Sequence, residues 1–413
     1  MPKNSRPSRP SVLIAAISGR ALARAAVEAG LVPLVADFFA DADTEQLAYR
    51  CCKFDGDIGR GMQWPSLATA LASLAEAAPP PLFGAIYGSG FEDRPELLMR
   101  VAERWPLLGN DAAAIARVKA PESFFATLDA LGIPHPQTAN SRPRKGANWL
   151  AKRRGGAGGS HVVPSRLQKD SADVYYQELV EGRSVSALFV ANGEDTRVLA
   201  FSEQWTSPAP GRAWRYGGAA FPAALAPSVE MSMTDAVERA ASAFGLKGLG
   251  SADFILRDDA ALPIEINPRP GATLDLFASD KTPLLTLHLN AVIDGRLPVC
   301  GREGADAAAS AIVYAPKAVI MPQAMAWPDW TADRPKPAER IDKLRPICTV
   351  LARAGTIRQA RCLVDRRIAQ VLAKMQRLSR GKRCEREEQD QDATSGIAER
   401  QQLGRAVGAR TDR

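Results

Sequence analysis

Residues 251–273 read SADFILRDDAALPIEINPRPGAT. The apolar residues Ala252, Phe254, Ile255 and Leu256 are interrupted by one acid, Asp253. A polar turn follows over Arg257–Ala261, and Pro263-Ile264-Glu265-Ile266-Asn267 resumes with strict alternation. Alternation places Glu265 and Asn267 on one face of a strand, and a turn that closes a hairpin brings Asp253 opposite them. A hairpin with its polar side chains in water is the plain alternative for a single acid. Asp, Glu and Asn set into otherwise apolar strands argue against it, because an unpaired buried charge is costly. Three hard oxygen donors in one place suit magnesium, with manganese as its substitute, bridging the phosphates of a nucleotide.

Composition narrows the class. A chain of 413 residues, 46% hydrophobic, buries a large core and divides into several domains or subdomains. No apolar run reaches membrane-spanning length, and MPKNSRPSRP at the start lacks a signal-peptide core behind it. The cysteines show no CxxC spacing, and three histidines without HExxH leave no histidine-based zinc hydrolase. These features predict a reduced, cytoplasmic protein. The net charge of +7 is uneven: residues 334–413 hold 20 Lys or Arg against 10 Asp or Glu, and residues 1–333 hold 33 against 36. The body is not basic, the tail has almost no aromatics for stacking, and a nucleic-acid partner is not expected.

Along the chain, strand Val12–Ile17, the turn Ser18-Gly19-Arg20, a helix Ala21–Ala29 and strand Val32–Ala36 open a parallel sheet as a βαβ unit. Asp37 stands at a spacing that suits a dinucleotide ribose, so an NAD-dependent oxidoreductase is one reading. The glycine fingerprint G-x-G-x-x-G is absent, which favours a Rossmann-like domain that binds no NAD. A helix Pro65–Ala77 and strand Phe83–Tyr87 extend the sheet. Gly88, Ser89 and Glu92 follow at the carboxyl end of that strand, where parallel sheets bind ligands, and are candidate substrate contacts beside the plain reading of a tight turn.

Past Leu108-Gly109-Asn110 come a helix Pro121–Leu131, the stop Gly132-Ile133-Pro134, and two β-rich segments over 149–163 and 175–190. Lys152 precedes Arg153-Arg154-Gly155-Gly156-Ala157-Gly158-Gly159-Ser160. Glycines let backbone N–H groups wrap phosphates, and a lysine at the loop's root adds a point charge. No G-K-[ST] or helix follows, so the loop is not a Walker A. Residues 229–245 form a helix, a strand-rich module follows Cys300, and a helix from Ile357 to Leu378 aligns Ala360, Val364, Ile368, Val371, Met375 and Leu378.

Taken in order, Lys119 ahead of a helix and Gly-Ile-Pro, the Lys152 glycine loop, the segment Gln177-Glu178-Leu179-Val180-Glu181-Gly182, and Asp253, Glu265 and Asn267 resemble the ATP-grasp superfamily over residues 11–352. The region after 300 is similar to that of carboligases related to biotin carboxylase, carboxyaminoimidazole ribonucleotide synthase and tyramine–glutamate ligase. The resemblance implies an α/β fold, α+β overall: a Rossmann-like domain over 11–107, an ATP-grasp domain of two α+β subdomains over 108–300 with a lid at about 120–180, and a strand-rich module and helix over 301–378; by composition, residues 1–10 and the charged tail over 379–413 are expected to be disordered.

It also implies roles. Lys119 and Lys152 would hold ATP phosphates, and Gly155, Gly156, Gly158, Gly159 and Ser160 would close over them. Main-chain groups of Glu178 and Val180, around Leu179, would read adenine, with a side-chain contact from Gln177 or Glu178. Asp253, Glu265 and Asn267 would bind magnesium, and Arg269 would join Lys152 in catalysis by facing the transferring phosphoryl group. Many relatives place a ribose-binding acid where this chain has Ser184, so Glu181 substitutes or ribose is held less tightly. The implied activity is C–N ligation through an acyl phosphate, using small-molecule carboxylate and amine substrates and ranking amino-acid or glutamate ligation first. Carboxylation of a small amine with bicarbonate is the alternative, and homodimers are common among such ligases.

Overall fold

The computed structural model describes residues 9–57, 61–143, 148–271, 273–278, 282–299, 306–323 and 325–378. The expectations for residues 1–8 and the tail over 379–413 lie outside them. The opening βαβ unit forms as expected. Strands Ser11–Ala15, Val32–Asp37, Arg50–Lys53 and Leu82–Tyr87 make a parallel sheet whose spatial order runs from Arg50–Lys53 to Leu82–Tyr87. Its first strand is buried throughout because both faces are covered. Val12 and Ile14 pack with Leu22, Ala25 and Ala26 of helix Arg20–Glu28. Leu13 and Ala15 pack with Leu67, Leu71 and Leu74 of helix Trp64–Ala77 on the other face.

A small antiparallel sheet of Thr138–Ala139, Val174–Glu178, Trp149–Arg153 and Val162–Pro164 carries the glycine loop. The largest sheet has eight strands. Its first five are Ala260–Asn267, Lys247–Arg257, Arg183–Asn192, Thr196–Thr206 and Tyr216–Phe221. Strands Ala307–Tyr314, Pro346–Ala354 and Thr331–Ala332 continue it, so the segment after residue 306 completes the same sheet. A helix over 357–378 buries Ala360, Val364, Val371 and Met375 with Val350 and Ala352, as its apolar face predicts.

The expected hairpin forms from Lys247–Arg257 and Ala260–Asn267, with a tighter turn than its composition suggests. Arg257 pairs with Ala260, and Asp258 takes φ +54°, a left-handed conformation that Asp tolerates. A register shift after Asp253 pairs Phe254 with Pro263, a residue with no N–H for the ladder. Asp253 consequently lies opposite Glu265, and Ser251 opposite Asn267. Ala252, Phe254, Leu256 and Ile266 face helix Pro227–Ala243, which leaves the acids on the other face.

His288 fastens this sheet to the end of the first domain. It accepts from the Leu249 N–H at Nδ1 (2.9 Å) and donates from Nε2 to the Leu108 carbonyl (2.9 Å). Burial pushes its pKa down to about 4, so it stays neutral and holds one tautomer.

Candidate active site

The hairpin face, the last turn of helix Ala112–Lys119 and the small sheet converge. The Lys119 ammonium is ion-paired with Glu265 and lies 3.4 Å from both the Ile266 carbonyl and Asn267 Oδ1. Asn267 Nδ2 donates to Asp253 Oδ2 (3.1 Å), and Gln204 Nε2 donates to Asp253 Oδ1 (3.2 Å). The two carboxylates titrate apart. Burial, then the neighbouring Glu265, raises the pKa of Asp253. Burial would raise Glu265 as well, but Lys119, with help from His161 and Lys152, outweighs it and holds Glu265 below the ordinary carboxylate range.

Lys152 lies on strand Trp149–Arg153 opposite Tyr175 and donates to Gln177 Oε1 (2.5 Å). Burial, the largest influence, lowers its pKa to about 8; Lys119 also lowers it, while Glu265 and Asp253 resist. The same hydrogen bond fixes the Gln177 amide, since a flip would set its NH₂ against the ammonium. Gln177 Nε2 is left buried with no partner among the described residues.

At the end of strand Val174–Glu178, the Glu178 N–H is taken by the Gln137 carbonyl (2.8 Å) and the Leu179 N–H by the Asn148 carbonyl (2.7 Å). Among the described residues the Val180 N–H has no such acceptor.

The glycine loop is folded down. The Tyr216 N–H donates to the Gly158 carbonyl (3.1 Å), and a Cβ on Gly159, whose φ is +69°, would sit 1.9 Å from the Trp214 carbonyl oxygen. A Cβ on Gly155 would sit 2.5 Å from Asp93 Cα. The loop thus packs between the 89–93 loop and the 207–216 loop as only glycine permits. Gly156 gives its N–H to the Arg153 carbonyl (3.1 Å) and lies against the His161 ring.

Arg269 donates from Nε to Glu92 Oε1 (2.7 Å), and Glu92 Oε2 accepts from the Gly90 and Phe91 N–H groups (2.7 and 3.0 Å). Glu92, expected as a substrate contact, is therefore buried and engaged on both oxygens, and its work is to hold Arg269. Asp37 is likewise occupied. Its carboxylate accepts from Gly19, Phe39 and Ala40 N–H groups and is fully buried, leaving nothing to bind a ribose.

Sequence reasoning missed Gln204 and His161. The first meets Asp253 only because strand Thr196–Thr206 lies two strands away from it. The second could have been found as the residue directly after the glycine loop.

The residues present fit a nucleotide with a divalent cation. Two carboxylates and an amide oxygen gather as hard donors, two ammonium groups flank them, and a buried amide donor stands unused beside Lys152. Among the described residues no group of three or more His, Cys, Asp or Glu could hold a metal, so a cation here would rely on Asn267 and on phosphate oxygens.

Residues 123–273 match the ATP-grasp domain family, so the chain carries an ATP-grasp domain. Carbamoyl phosphate synthase arginine-specific large chain of Bacillus subtilis (strain 168) is 23% identical over 196 residues, 42% of this chain and 18% of that protein. The match thus spans less than a fifth of that curated relative. Biotin carboxylase from Campylobacter jejuni superposes with a TM-score of 0.64 at 14% identity, covering 85% of this chain and 88% of that one. L-amino acid ligase from Bacillus licheniformis gives 0.63 at 14% identity, covering 89% and 98%. The fold expected from the sequence is the fold observed.

Proposed function

We propose that this protein is an ATP- and magnesium-dependent carboxylate–amine ligase. The observation that carries the reading is the convergence of Lys119 and Lys152 on Glu265, Asp253 and Asn267 beneath a folded glycine loop. Adenine is read by the Val180 N–H, the Glu178 carbonyl and Gln177 Nε2. The phosphates lie on Lys119, Lys152 and the N–H groups of Gly158, Gly159 and Ser160. Magnesium held by Asp253, Glu265 and Asn267 would neutralise phosphate charge.

Phosphoryl transfer needs positioning and charge neutralisation more than covalent help. A substrate carboxylate attacks the γ-phosphorus, the bond to the bridging oxygen breaks, and ADP leaves. An amine then displaces phosphate from the acyl phosphate. Arg269, held by Glu92, presents its guanidinium to the transferring group.

The similarity to an L-amino acid ligase over nearly its whole length supports amide formation. The similarity to biotin carboxylase and carbamoyl phosphate synthase supports a second reading, with bicarbonate as the acid. ADP release from magnesium-ATP tested against acids, amines and bicarbonate separates the two. Release that needs an acid and an amine together carries the ligase reading, and release with bicarbonate in place of the acid moves it to carboxylation. Binding of NAD but not ATP would overturn both.

A further inference from the structure

Three arginines are buried among the described residues, and two of them have acids. Arg20 is forked onto Asp275 and touches Asp333, and Arg269 is paired with Glu92. Arg215, 5% exposed, has no carboxylate within 4 Å among the described residues. Its guanidinium lies over the Tyr314 ring, 3.5 Å from the centroid. Nε donates to the Ser207 carbonyl (2.9 Å), Nη2 to Ser207 Oγ (3.1 Å) and Nη1 to the Leu344 carbonyl (3.2 Å). A guanidinium has five N–H groups, so with three engaged one remains on each terminal nitrogen to receive a carboxylate. A covered cation without a counter-ion is costly, and a ligand anion would relieve that cost.

Its position ties it to the active site. Asp253 is hydrogen-bonded by Ser186, which pairs across the sheet with buried Ser202, and Gln204 two residues on also donates to Asp253. Gln204 pairs with Ala219, and Ala219 with buried Ser310, which hydrogen-bonds the Tyr216 hydroxyl. Tyr314 then donates to the Tyr216 carbonyl (2.8 Å). A polar track thus crosses the sheet from the acids to Arg215, about three strand spacings or ~14 Å. Tyr216 is also the residue that holds the folded glycine loop at Gly158.

We propose that Arg215, stacked on Tyr314, binds a second carboxylate of the substrate, one that is not itself activated, so that the substrate is an extended dicarboxylate or a carboxylate-bearing amine. This rests on the ligase reading, which locates the reacting carboxylate at the acid end of the track.

Sebacate and decanoate, whose extended chains approach that separation, differ by one carboxylate and serve as probes. Each is titrated into the full chain at constant ionic strength, with and without magnesium and a non-hydrolysable ATP analogue, following tryptophan fluorescence or heat. The wild type is expected to bind sebacate at least about tenfold more tightly than decanoate. Arg215→Met should erase that preference, while Arg215→Lys, which keeps the charge without the fork, should retain part of it. Tyr314→Phe, which keeps the ring, should stay near wild type. Equal binding of the two probes, no binding of either, or an unchanged preference in Arg215→Met overturns the proposal. So does loss of analogue binding or of melting temperature in Arg215→Lys, since that marks a purely structural arginine. Failure of the wild type to bind the analogue would instead sink the ligase reading, because the sebacate preference is measured without nucleotide as well.

Discussion

Glu92 and Arg269 lie 177 positions apart and form a buried ion pair, Nε to Oε1 at 2.7 Å, that joins the first parallel sheet to the loop after the acid hairpin. Burial opposes charge on Glu92, but Arg269, Lys119 and two backbone N–H groups overcome it and hold its pKa below the ordinary value. The sign follows: the pair's stabilisation is present above the unfolded carboxylate pKa and is lost as pH falls through the depressed folded value. Glu92→Gln removes the charge and keeps an acceptor. It is expected to lower stability by about 3 kcal/mol and kcat by at least about tenfold, with the KM for ATP changed less. Thermal melts and steady-state kinetics check this, and an unchanged kcat would release Arg269 from its role.

Burial lowers the pKa of Lys152 to about 8 in the unliganded protein. Its ammonium is present below that pH, so affinity for ATP should fall as pH rises through 8. Equilibrium binding measured from pH 7 to 9 should show one inflection in the wild type and none in Lys152→Met. The same inflection in both proteins would assign it elsewhere.

Gly159 leaves no room for a side chain when its loop is down, because a Cβ would meet the Trp214 carbonyl at 1.9 Å. Gly159→Ala should weaken ATP binding by about tenfold or more and leave the melting temperature within about 2 °C, since the loop itself buries little. Wild-type binding in this variant would show that the loop does not close in the liganded state.

His288 contributes a pH term of its own. Its folded pKa of about 4 lies below the unfolded value of 6.5, so the neutral form's contribution is complete above pH 6.5 and is lost as pH falls toward 4. The loss is on the order of 3 kcal/mol over that interval. Denaturant midpoints from pH 7 to 4 should fall in the wild type and fall less in His288→Asn.

The hairpin, the glycine loop and the first βαβ unit were legible because each is a local pattern: alternation, glycine clustering, or an apolar run closed by a turn. The bulge at Ile264 sharpened the hairpin by setting Asp253 against Glu265. What escaped was carried by contacts between distant segments. Gln204 reaches Asp253 only after three strands assemble, and Glu92 turned inward because Arg269 arrives from 177 positions further along the chain. The strands after 306 extend the large sheet through pairings such as Ala219 with Ser310, and no local period announces such a partner.

The central claim is that Lys119, Lys152, Asp253, Glu265 and Asn267 form one magnesium–nucleotide site. Calorimetric titration of magnesium-ATP into the wild type, Lys152→Met and Glu265→Gln tests it most directly. One binding event in the wild type, weakened at least about tenfold in each variant and losing its magnesium dependence in Glu265→Gln, is the predicted result. ATP bound with equal affinity by all three proteins, or not bound by the wild type, would contradict the claim.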